Sequence, residues 1–90
     1  MRIVYEEQFG TQLQAILSFI ARDNPAAARR FCESLKRRIE QIPATPLACR
    51  QSTYFDDPTL RDLIFMGYTA IYRVTPAEIR LLDIFKWQER

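Results

Sequence analysis

The chain has 90 residues, a mass of 10.6 kDa and a formal net charge of +2, the length of a single domain spanning residues 1–90. Folding at this size buries roughly 65% of the unfolded chain's surface, enough for one core and too little for a cofactor cleft between two domains. The sequence has no histidine, so the usual general base of hydrolases, the Ser-His and Cys-His pairs and most zinc sites are absent.

Two cysteines, Cys32 and Cys49, are too few for a metal cage and form no C-x-x-C pattern. The expectation is reduced thiols, with neither metal nor other cofactor. The bases are 11 arginines and 2 lysines, which favours bidentate contacts with phosphate or carboxylate over point-charge contacts. No stretch reaches the roughly 18 apolar residues of a membrane helix. Arg2-Ile3-Val4-Tyr5 already reads as structure, so the expected location is the cytoplasm.

In chain order, residues 2–5 are β-branched and aromatic and predict a strand. Phe9, Leu13, Ile16, Leu17 and Ile20 then fall on one face of a helix over Glu6–Ala21. Asp23-Asn24-Pro25 supplies a cap and a first-position proline for a second helix over Pro25–Gln41. Its apolar face is Ala28, Phe31, Leu35, Ile39 and Ile42. The short link folds the two helices back as an antiparallel hairpin.

Residues 43–59 hold three prolines and predict a loop with an edge strand near Ser52–Phe55. Leu60–Met66, Tyr68–Thr75 and Ile79–Trp87 read as three strands of an antiparallel meander, with Gly67-Tyr68 and Thr75-Pro76-Ala77 at the turns. The expected fold is α+β, in the order β-α-α-β-β-β with one added edge strand. A helix hairpin packs on one face of a small, mainly antiparallel sheet, and the other face is partly open. Tyr5, Tyr68 and Tyr72 are expected to pack in the sheet with their hydroxyls wet.

This order in about 90 residues resembles the RelE/ParE superfamily of toxins from type II toxin–antitoxin pairs. The resemblance rests on Ile20-Ala21-Arg22-Asp23-Asn24-Pro25-Ala26-Ala27-Ala28 at the helix corner, Leu60-Arg61 at the first meander strand, and Gly67-Tyr68 followed by Ile71-Tyr72-Arg73-Val74. It implies growth arrest through an essential target, either the ribosome or DNA gyrase, and a neutralising antitoxin as partner.

RelE-like members cut ribosome-bound mRNA with converging basic side chains. Here the candidates are Arg61, Arg73 and Lys86, with Asp62 and Asp83 expected to oppose them, and Thr69 stands where such members carry an arginine. The nuclease set is depleted, and the helix corner is closer to the ParE-like branch, which inhibits gyrase by binding.

The expected function is therefore a ParE-like, gyrase-directed toxin. A RelE-like metal-independent endoribonuclease and a degenerate, non-toxic binding module of the same fold stand as alternatives. Candidate target contacts are Arg61, Arg73, Lys86 and Trp87. Arg61 has two plainer readings, a pair with Asp62 or Asp83 and an isolated surface charge. For the antitoxin the candidates are Phe9 and Leu13, beside an apolar groove, and Arg30 and Arg37, on the basic side of the second helix. That helix stripe has the further reading of a solvated face.

Overall fold

The structure, a computed structural model, describes residues 1–86, so Trp87 lies outside the described residues. Strand β1 (Arg2–Tyr5) leads into helix α1 (Glu7–Asp23) and helix α2 (Pro25–Glu40). A 3-10 turn (Ile42–Ala44) and the two-residue strand β2 (Arg50–Gln51) follow. Strands β3 (Leu60–Phe65), β4 (Tyr68–Val74) and β5 (Glu78–Lys86) complete the order. The sheet runs β1-β5-β4-β3-β2, antiparallel except where β1 lies parallel to β5.

A single extended residue, Asn24, makes the helix corner. Its N–H closes the last turn of α1 on the Ile20 carbonyl, which carries α1 two residues beyond the expected Ala21. Its side-chain oxygen accepts from the Ala27 N–H at 3.1 Å, capping α2 with Pro25 in the first turn. The helices then fold back on one face of the sheet. Phe9 of α1 and Phe31, Leu35 and Ile39 of α2 are buried against Leu63, Ala70, Tyr72, Ile79, Leu81 and Ile84. Phe31 takes both Phe65 and Tyr68 edge-on, with ring centroids 5.4 Å apart in each pair.

Strand alternation sends the next residues to the opposite face, including Asp62, Thr69, Ile71 and Arg73. That face is partly open, as expected, and its covered part lies under residues 52–59. Tyr54 stacks edge-on against Phe85 at 5.2 Å, and Asp62, Thr69 and Ile71 are buried. The edge strand forms at Arg50–Gln51 rather than near Ser52–Phe55. The reason is local: the Thr53 N–H goes to the Asp62 carboxylate at 3.2 Å, so the chain leaves the ladder there and crosses the sheet. A bulge between Ile71 and Tyr72 skips Leu82 and keeps both Leu81 and Ile84 toward the helices.

Candidate functional site

Arg61, Gln51 and Tyr72 are side by side in the sheet register. Tyr72 is fully buried, and its hydroxyl donates to the Pro46 carbonyl at 3.1 Å. This corrects the expectation of a wet hydroxyl: residues 43–49 fold over the ring and exclude water. Burial pushes the Tyr72 phenol well above its ordinary pKa, and the neighbouring Cys49 thiol adds to the rise. The charges of Arg61 and Arg38 work the other way, which places both guanidinium groups near that hydroxyl.

Arg61 itself is half-buried. Its Nη1 donates to the Cys49 carbonyl at 3.4 Å, and its Nε is buried without a partner. The pairing with Asp62 allowed by one plainer reading of Arg61 does not form, because adjacent strand residues point to opposite faces. Asp62 instead accepts from Arg50, at 3.2 Å to Nη2 and 3.3 Å to Nε. Cys49 is half-buried against the core and unbridged, as is Cys32.

The three candidate cations of the β region do not come together. Arg73 lies on the face away from the helices, exposed, with Asp57 at 3.8 Å. The Asp57 carboxyl is lowered from its ordinary pKa, first by the hydroxyl and backbone N–H of Thr59 and in smaller part by Arg73. Lys86 sits on the helix side with its ammonium 5.9 Å from the centre of the Phe19 ring. Its register partner is Tyr68, whereas Arg61 pairs with Tyr72, four residues away along β4. At about 3.3 Å per residue, Arg61 and Lys86 are roughly 13 Å apart along the sheet. Such a spread offers separate contacts to a large surface and no shared cradle for one phosphate. Among the described residues no cluster of His, Cys, Asp and Glu is fit to hold a metal ion. Nor is any helix long and apolar enough to cross a membrane.

The candidate antitoxin contacts fall on opposite flanks of α2. Phe9 and Leu13 line an apolar cavity of about 150 Å³ together with Tyr5, Cys32, Leu35, Lys36 and Ile39. Phe9 forms its buried base and Leu13 its half-exposed rim. Arg30 lines a different depression of about 390 Å³, with Ile20, Ala27, Phe31, Ser34 and Met66. Arg37, exposed on the same side, donates to Ser34 Oγ at 3.5 Å. Arg38 and Met66 were not among the candidates. Helical spacing from Arg30 and Ser34 points to Arg38, whereas nothing local marks Met66.

Residues 3–89 match the sequence family described as "ParE toxin of type II toxin-antitoxin system, parDE". No curated protein sequence matches the chain. Among solved structures, the chain is similar to one titled "Chromosomal ParDE TA system from P. aeruginosa". The TM-score is 0.76 at 18% identity, over 96% of this chain and 95% of that one, a likeness of fold.

Proposed function

The chain belongs to the ParE toxin family of type II toxin–antitoxin systems, and from that premise we propose that it arrests growth by binding DNA gyrase and is neutralised by a cognate antitoxin. The observation that carries a binding mode over RNA cleavage is the separation of Arg61, Arg73 and Lys86. In-line attack by a ribose hydroxyl needs cations gathered on one phosphate, with a base beside them. Here Arg73 faces away from the helices, and Lys86 and Arg61 occupy opposite ends of the helix-side face.

In this reading Arg61, Arg73, Lys86 and Trp87 are target contacts. Lys86 beside the exposed Phe19 ring offers a partner a charge and an apolar surface at one place. The half-covered apolar face of α1 supports an antitoxin partner. Leu13, Ile16, Leu17 and Ile20 are only half-buried and Phe19 is exposed, so a second protein has apolar area to cover.

A supercoiling assay with purified gyrase tests the target. The expected result is loss of supercoiling as the chain approaches a small molar excess. Full supercoiling at a large excess overturns it. Specific cuts in a translated message, read by primer extension, replace it with the nuclease reading. Unimpaired growth on induction without a partner points to a non-toxic module.

A further inference from the structure

The two flanks of α2 differ in charge. At 100° per residue, Arg30, Ser34, Arg37, Arg38 and Gln41 fall on the flank nearer β3. Both carboxylates of the helix, Glu33 and Glu40, fall on the other, and Glu40 is close enough to Tyr5 to raise its pKa. The β3-side flank therefore carries three arginines and no acid. Among the described residues none of the three makes an ion pair: Arg37 meets Ser34, Arg38 meets Gln41 Oε1 at 3.5 Å, and Arg30 is exposed.

Two depressions follow this flank. The one at Arg30 has apolar walls of Ile20, Ala27 and Phe31, with Met66 at its lip. The second, about 160 Å³, is lined by Arg38, Gln41, Ile42, Thr45, Ala48 and Cys49. Arg61, reaching the Cys49 carbonyl, adds a fourth guanidinium at that end.

Met66 is an independent sign. It is 71% exposed and holds φ at +49°, beside Gly67 at +86°, in the two-residue β3–β4 turn. Turn chemistry favours Asn or Gly there, and the core makes no use of the side chain. A long apolar side chain kept at a strained, exposed turn position, at the lip of an arginine-lined depression, suits a contact surface.

We propose that this flank, from Met66 to Cys49, is a docking groove for an acidic amphipathic peptide segment of a protein partner. This rests on the antitoxin reading above and specifies which side of the hairpin the acidic segment occupies. Carboxylates pair with Arg30 and Arg38, and apolar side chains fill the depression between Phe31 and Met66. Eight helical residues separate the two arginines, about 12 Å, which matches carboxylates eight apart on a helix or about four apart on an extended chain. A peptide fits better than a nucleic acid. Phe31 is 6% exposed and clamped by Phe65 and Tyr68, so no aromatic face in the groove is open to stack on a base.

A displayed library of random 14-residue peptides, selected on the folded chain, tests this. Enriched sequences are expected to combine Asp or Glu with Leu, Ile or Phe. Their affinity is expected to fall at least about tenfold with Arg30→Glu and Arg38→Glu together, and less than about twofold with Lys36→Glu on the other flank. All these positions are exposed, and circular dichroism confirms that each variant is folded. Enrichment of neutral or basic peptides, equal sensitivity to Lys36→Glu, or tighter binding of a 12-nucleotide single-stranded DNA overturns the groove. Gyrase inhibition without such peptides removes this inference alone; peptide capture without gyrase inhibition removes the target reading alone.

Discussion

The Tyr72 hydroxyl donates to the carbonyl of Pro46, 26 residues earlier, at 3.1 Å. The bond ties the loop after α2 to the centre of the sheet, where the Tyr72 side chain is fully buried. Burial, first, and the Cys49 thiol, second, raise the phenol's pKa above the value of about 10 expected in the unfolded chain. The folded state therefore holds this proton more tightly than the unfolded state. Its contribution is complete below pH 10 and is lost as pH rises from there toward the folded-state value. Urea denaturation at pH 7 and at pH 10.5 is expected to show a marked alkaline loss. Tyr72→Phe should cost about 1 kcal/mol at pH 7 and flatten that loss. Tyr5, raised more modestly by burial, Glu40 and Cys32, supplies a residual slope. An unchanged alkaline loss in Tyr72→Phe contradicts this account.

Arg50 and Asp62 are unequal partners. The Asp62 side chain is fully buried, and Arg50 is 46% exposed. Asp62 Oδ2 takes both Arg50 and the Thr53 N–H, while Oδ1 is buried without a partner. Arg50→Ala leaves a carboxylate buried on one backbone donor and is expected to cost about 2–3 kcal/mol. Asp62→Asn keeps an acceptor for Thr53 and removes the buried charge, and Arg50 can turn to solvent, so it is expected to cost about 1 kcal/mol. Adding Asp62→Asn to Arg50→Ala should recover part of the loss. A thermal double-mutant cycle reads the coupling, and additive losses exclude it.

Arg61 separates stability from contact. Its buried Nε lacks a partner and its one bond to the Cys49 carbonyl is long. Arg61→Met fills similar space without the unpaired donor, so stability is expected to change by no more than about 1 kcal/mol. If Arg61 touches gyrase, inhibition falls at least about tenfold in the same variant. Retained inhibition removes Arg61 from the contact set.

The element order, the helix corner and the meander were legible because each has a local cause: Asn24-Pro25 as cap and first turn, period 3.6 in both helices, and glycine at the β3–β4 turn. The parallel pairing of β1 with β5 and the position of β2 were not. They depend on partners 76 residues away and on the Asp62 carboxylate taking the Thr53 N–H. The candidate site could be read as residue types and not as an arrangement. Arg61 and Asp62 are neighbours in sequence and face apart in the sheet. Arg30 and Leu13 are equal candidates along the chain, yet line cavities on opposite flanks of one helix.

Met66 carries the sharpest conflict between local preference and the residue present. At φ +49° in the two-residue turn, a non-glycine side chain costs about 1 kcal/mol, and Asn tolerates that region better than Met. Met66→Asn is expected to stabilise the chain by about 0.5–1 kcal/mol, raising Tm by a few degrees for a domain of this size. Gly67→Ala, at φ +86°, is expected to destabilise by about 1 kcal/mol, although a methyl group there meets no other atom. If Met66 serves the groove, Met66→Asn weakens capture of the acidic peptides at least about threefold while Tm rises. Stability and binding then move in opposite directions, which no loss of fold produces. A Tm that falls in Met66→Asn shows that the methionine is held for packing.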